Sequence, residues 1–147
     1  MMKSIPKLAA LSFALLSTSV FAASGVTYKS PYCGCCKEWV KHMEENGFEM
    51  TSEDHVNMNP IKMKLGIKPQ LASCHTTVID GYLFEGHIPA SDVKAFLEQK
   101  PKLAGLAVPG MPVGSPGMEY GDQKDPYDVI GFTKSGMTMV FNSHNKD

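Results

Sequence analysis

An α/β domain is expected from three observations. Short β-prone runs alternate with amphipathic helical segments, Asp80-Gly81 marks a tight hairpin, and a cysteine-rich turn leads from the first strand into the first helix. Val26 to Lys29 is β-prone and is stopped by Ser30-Pro31. Cys36 to Glu45 reads as a helix, with Trp39, Val40 and Met43 on one face and Gly47 as its stop. Phe48 to Ser52 alternates apolar and polar, as a half-buried strand does. Asn59-Pro60 opens a second helix through Leu65, closed by Gly66. Thr76 to Ile79 and Tyr82 to Gly86 are the two arms of the hairpin. Ser91 is expected to cap a third helix over Asp92 to Gln99, with Val93, Phe96 and Leu97 as its apolar stripe.

This order, β-α-β-α-β-β-α, is the thioredoxin-like pattern, with the cysteines at the first strand-to-helix turn. In that fold the loop before the third strand returns beside the same turn. Thioredoxins usually carry a cis-proline there; the equivalent position here is near Ser73-Cys74. Beyond a core of about residues 26–100 comes an extension, about 101–147. Gly105 to Gly121 holds five Gly and three Pro and reads as a loop, long enough to be either functional or a linker wrapping the core. Asp128 to Phe132 and Met137 to Phe141 flank Lys134-Ser135-Gly136 as a C-terminal β-hairpin.

The first 22 residues read as a secretory signal. Lys3 and Lys7 supply the positive end, Leu8 to Leu16 the apolar stretch, and Val20-Phe21-Ala22 the small-residue ending. Cleavage after Ala22 is expected, with Ala23 the second choice; the signal looks bacterial and implies the periplasm. The apolar run is short for a membrane span, and no cysteine stands at the cleavage site to carry a lipid. A stable membrane anchor after cleavage is therefore not expected. The remaining 125 or so residues are enough for one domain with a core. All 14 basic residues are Lys, and loss of Lys3 and Lys7 takes the formal charge from −1 to −3. A weakly acidic chain without Arg is a poor nucleic-acid binder.

Four cysteines carry the chemistry: Cys33, Cys35 and Cys36 within four residues, and Cys74 in Ser73-Cys74-His75-Thr76. Cys35 and Cys36 can hardly bridge each other, so complete pairing would leave two connectivities, each spending Cys74 on one of the cluster. In an oxidising compartment exposed thiols tend to pair, unless bound metal protects them. Cys33 and Cys36 form a Cys-x-x-Cys, which permits redox chemistry; Cys35 is superfluous to a dithiol but useful to a thiolate metal site. Soft thiolates favour Cu(I), Zn(II) and iron–sulfur clusters. Structural zinc sites typically use two separated knuckles, whereas here three ligands are compressed into one turn. Cu(I) tolerates bridging thiolates, and four thiolates with four Cu(I) are neutral, whereas four around one Cu(I) leave −3. Helix N–H groups at Cys35 and Cys36 are expected to lower the thiol pKa values.

Met43, Met63 and Met139 are most simply core or gap-filling residues. Met111 and Met118, on the Gly/Pro segment, are either loop packing, thioether ligands or a lid over the cysteines. His75 adjoins Cys74 and is a candidate ligand or proton handler, although strand alternation points it away. His42 reads as a solvated helix histidine, and His55, His87 and His144 have no motif around them.

Tyr32-Cys33-Gly34-Cys35-Cys36-Lys37-x-Trp39, Ser73-Cys74-His75-Thr76, Gly86-His87-Ile88-Pro89-Ala90 and the run from Val108 to Glu119 together resemble the CopG-type periplasmic copper-handling family, a metal-binding family formerly of unknown function. The resemblance spans roughly Val26 to Phe141 and includes all four cysteines. It implies a thioredoxin-like domain, copper bound by Cys33, Cys35, Cys36 and Cys74 as a tetranuclear Cu(I)–thiolate cluster, a role in copper resistance, and copper redox activity. Expected partners are copper ions and other periplasmic copper-handling proteins. The alternative reading of the residues is a thiol–disulfide oxidoreductase using Cys33 and Cys36, with Cys74 as resolving partner. A zinc-stabilised structural module stands third.

Overall fold

The computed structural model describes residues 22–146. The export leader expected over residues 1–22 lies outside the described residues except for Ala22. Strands β1 (Ser24–Lys29), β2 (Glu49–Asp54), β3 (Thr76–Ile79), β4 (Tyr82–Glu85), β5 (Gly105–Ala107), β6 (Tyr127–Phe132) and β7 (Thr138–His144) form one sheet in the order β2-β1-β3-β4-β5-β6-β7. Helices α1 (Gly34–Glu45), α2 (Asn59–Leu65) and α3 (Ala90–Gln99) accompany it, with a short 3-10 turn at Pro69–Leu71. β1 runs parallel to β2 and antiparallel to β3, so the helical crossover α1 joins parallel neighbours while Asp80-Gly81 joins antiparallel ones.

Period-two alternation along the central strands separates two cores. Phe84, Leu106 and Val129 face Trp39 and Met43 of α1 and Val93 and Phe96 of α3, all fully buried. Their neighbours Leu83, Ala107 and Ile130 face the other side, with Ile67 and Leu71. Trp39 is held by more than apolar burial: its indole N–H donates to the Ile88 carbonyl at 2.8 Å. Phe96 packs edge-on against both Tyr82 and Phe84, which ties α3 to the hairpin.

The architecture is the mixed α/β single domain expected, with three departures in detail. Gly105–Ala107 is a buried strand, not loop, and pairs in parallel with β4. A side chain at Gly105 would place its Cβ 1.7 Å from the Leu83 carbonyl oxygen, so the residue that suggested a loop is what lets β5 approach β4. Through β5, the expected C-terminal hairpin β6–β7 joins the main sheet. Ser91 does not cap α3; the helix begins at Ala90, after Pro89 in an extended conformation, and has no side-chain cap. Met63 and Met139 are exposed, on α2 and on the edge strand β7, whereas Met43 is core as expected.

The sheet also buries a charge pair that local patterning does not reveal. Glu85, at the end of β4, is fully buried. It is ion-paired with Lys62 of α2 and also takes hydrogen bonds from the Ser73 N–H (2.7 Å) and the Thr76 hydroxyl (2.5 Å). Burial pushes the Glu85 carboxyl up, and Lys62 beside it opposes that shift. Lys62→Met should leave this carboxylate without its counter-ion and destabilise the metal-free domain by about 3 kcal/mol, whereas Lys62→Met/Glu85→Gln should recover much of the loss. Urea unfolding of the three proteins checks this; equal stability of the single variant and the parent contradicts it.

Candidate metal centre

Two backbone segments make the site, and each is fixed by bonds of its own. On the first, Ser30-Pro31 ends β1 and the chain turns, with the Cys33 N–H donating to the Ser30 carbonyl at 3.2 Å. Cys33 then sits extended at the N-cap of α1, where its Sγ accepts the Cys36 N–H at 3.3 Å. Of the helix N–H groups at Cys35 and Cys36 expected to act on the sulfurs, the one at Cys36 thus serves Cys33. Cys36 is fully buried, and Cys33 and Cys36 form a disulfide with their Cα atoms 5.3 Å apart. Cys35 and Cys74 are free thiols.

On the second segment, Glu85 grips the Ser73 N–H and the Ser73 hydroxyl donates to the Gly110 carbonyl at 2.5 Å. Cys74 is thereby presented to the helix N-terminus. Its Sγ lies 3.8 Å from that of Cys35, which in turn lies 3.4 Å from Cys33 Sγ. All four cysteine sulfurs fall within 4.8 Å of one another, three partly buried and one buried. Sequence placed Cys74 beside the cysteine turn through the expected loop return, and the structure brings it there. Of the two complete disulfide pairings, the structure holds one half of one: Cys33–Cys36, with Cys35 facing Cys74.

The histidines fall differently from expectation. His75 does not turn away: it is fully buried, its ring 4.6 Å from that of Trp39 and 4.9 Å from that of His87. Among the described residues neither of its ring nitrogens makes a well-formed hydrogen bond, although the Gly86 backbone lies near enough to act on the ring. His87 is fully buried, with Nε2 3.4 Å from Cys74 Sγ and Nδ1 donating to the Pro116 carbonyl at 2.7 Å. Sequence offered no spacing signal for His87; the Gly-His-Ile-Pro run around it was the available hint. His42 is half-buried and not simply solvated, for its Nε2 accepts the Ala90 N–H at the start of α3. His55 and His144 bind Glu53 and Asp92 elsewhere.

The Gly/Pro segment reaches the site through its backbone. Pro116 holds His87, and Gly117, at φ 86°, lies so close to α1 that a Cβ there would sit 2.7 Å from the Cys35 carbonyl oxygen and 3.0 Å from the Trp39 nitrogen. Met118 is partly buried and its N–H donates to the Ser115 carbonyl at 2.8 Å, whereas Met111 is about half exposed.

Burial pushes the Cys74 thiol up to about 11, and the neighbouring Cys35 adds to the shift. In the metal-free protein Cys74 is therefore a neutral thiol at pH 7, and metal binding must displace its proton. Once the Cys33–Cys36 bridge is reduced, four thiols converge at one place, three partly buried and one buried, and metal binding takes them up as thiolates. That donor set suits soft cations, Cu(I) among them, and offers enough sulfur for several bridged ions.

Gly117→Ala should loosen the strap from α1 without unfolding the sheet, because the left-handed backbone and the Cys35 carbonyl both exclude a Cβ. Limited proteolysis should cut between Val108 and Gly121 faster in the variant while thermal unfolding stays cooperative. Equal cleavage rates contradict the close packing.

Residues 71–118 match a family described as "Protein of unknown function, DUF411". No curated protein matches the chain. A solved structure titled "Copper resistance protein copG- Form 2" is 46% identical; the match covers 84% of this chain and 98% of that one, with a TM-score of 0.80. A second, "Copper resistance protein copG- Form 1", is also 46% identical, covers 85% and 99%, and has the same TM-score. At that identity over nearly the whole of the solved chains, with the four cysteines gathered at one turn, the chain belongs to the CopG family.

Proposed function

We propose that this protein binds Cu(I) in the periplasm through Cys33, Cys35, Cys36 and Cys74 and thereby contributes to copper resistance. The observation that carries the reading is the gathering of four sulfurs within 4.8 Å of one another from two distant parts of the chain. The names of its solved relatives supply the copper and the resistance. The export leader over residues 1–22 supplies the compartment; among the described residues no helix is long and apolar enough to cross a membrane. The scaffold is thioredoxin-like on this reading, supported by the β2-β1-β3-β4 order with β1 parallel to β2 and antiparallel to β3.

Charge favours a multinuclear site. Four thiolates are neutralised by four Cu(I), and a partly buried pocket holds a neutral cluster more easily than a −3 centre. The protein stores or processes the metal there, and copper redox change at the cluster is part of the same reading. Loading requires reduction of Cys33–Cys36 by an external dithiol, which is itself oxidised to its disulfide: two electrons and two protons open the bridge, and its two sulfurs then join those of Cys35 and Cys74. Met111, Met118 and His75 are additional contacts on this reading, with Met118 and Met111 on the strap that crosses beside the cysteine turn. Other periplasmic copper-handling proteins deliver or receive the metal.

A second reading is favoured by one observation, the Cys33–Cys36 disulfide itself. It makes the protein a thiol–disulfide oxidoreductase, with Cys35 and Cys74 as neighbouring thiols.

Copper counting on the reduced mature protein separates the two. Several Cu(I) per chain are expected, and Cys→Ser at any one of Cys33, Cys35, Cys36 or Cys74 should lose much of the metal, because bridging sulfurs are shared. Loading should fail without reductant. A protein that takes up no copper yet cycles Cys33–Cys36 reversibly against a dithiol is an oxidoreductase, and one tightly held zinc per chain makes it a structural zinc module.

A further inference from the structure

Cys74 belongs to two groups of donors, not one. Beside the four sulfurs, the Cys74 sulfur and ring nitrogens of His75 and His87 also lie within 4.8 Å of one another. Two features of this second group point to a ligand. His87 is already oriented: its Nδ1 must carry the proton given to the Pro116 carbonyl, which leaves the Nε2 lone pair facing Cys74 Sγ at 3.4 Å. Fixing a ligating imidazole through its other nitrogen is the usual device of a metal site. His75 is fully buried, and among the described residues neither ring nitrogen makes a well-formed hydrogen bond, the Gly86 backbone being the polar group that acts on the ring, an arrangement that folding alone disfavours.

We propose that Cys74, His75 and His87 form a mixed sulfur–nitrogen copper position that shares the Cys74 sulfur with the four-thiolate group. The inference rests on the copper reading above only through that shared sulfur. An ion about 2.1 Å from three donors in a plane sets those donors about 3.6 Å apart, so the Cys74–His87 pair already has the required spacing and His75 needs a small inward shift. One thiolate with two imidazoles suits copper in either common oxidation state, whereas an all-sulfur site favours Cu(I) alone. The position also lies on the buried side of Cys74, between β3, the start of α3 and the Gly/Pro strap. The ring of Trp39 closes it on one side.

The test uses the full mature chain. With Cys33→Ser, Cys35→Ser and Cys36→Ser combined, the four-thiolate group is gone but the proposed position is intact. Loaded anaerobically with one equivalent of Cu(I), this protein should give a copper X-ray absorption spectrum with one sulfur and two imidazole nitrogens. Adding His75→Gln or His87→Gln should remove one imidazole each and weaken Cu(I) retention against a colorimetric chelator at least tenfold. In the four-cysteine protein, the His75→Gln/His87→Gln pair should abolish the imidazole scattering while the copper–sulfur scattering stays. This comparison decides the matter if the triple variant does not fold. Copper held by sulfur alone in both parents overturns the proposal and leaves the four-thiolate reading standing. Loss of copper–sulfur binding in the four-cysteine protein, with imidazole–copper binding kept in the triple variant, does the reverse.

Discussion

The placing of Cys74 depends on a carboxylate that is not itself one of the clustered donors. Glu85 is buried at the end of β4, where an unpaired charge would be costly, and three partners make it tolerable: Lys62, Thr76 and the Ser73 N–H. The last of these is the structural gain. A loop amide one residue before Cys74 is tied to the interior of the sheet, and the Ser73 hydroxyl is tied to the strap at Gly110. A cysteine on a free loop would lose most of its chance of meeting three others at a helix end. Here the loop's entropy is spent in folding, before any ligand arrives.

The helix side of the site is arranged by the same logic. Pro31 and the Cys33 N-cap start α1 in a fixed place, and Trp39, two turns on, anchors the helix through the Ile88 carbonyl. Ile88 follows His87, so the bond that seats α1 also sets the segment that carries the buried imidazole. The strap closes the arrangement: Pro116 orients His87, and Gly117 lies against the first turn of α1. Thiol, imidazole and strap are thus parts of one packed unit, and change in any one reaches the others through backbone contacts.

What sequence made legible follows from how local each signal is. Cys33, Cys35 and Cys36 announce thiolate chemistry by crowding alone, and Thr76 to Phe84 announces a hairpin through alternation and Asp80-Gly81. Cys74 was placed by topology, through the position of the loop before the third strand. β5 was not legible, because Gly105 reads as a breaker unless one knows that Leu83 approaches it too closely for a Cβ. The Lys62–Glu85 pair was not legible either: two opposite charges 23 residues apart have no pattern, and only burial gives them meaning. His87 escaped for the same reason. Its role comes from a carbonyl 29 residues away and a sulfur 13 residues away, and neither spacing is a motif. Met63 and Met139 misled in the opposite direction, since hydrophobic identity was taken for burial on an edge strand and on a short helix that expose them.

The central claim is that the four sulfurs act as one copper-binding group. X-ray absorption at the copper edge, on reduced mature protein loaded with Cu(I) to saturation, tests it most directly. The account predicts copper–sulfur scattering together with a short copper–copper vector, from several coppers per chain. A single copper per chain with two sulfur neighbours and no copper–copper scattering would contradict it.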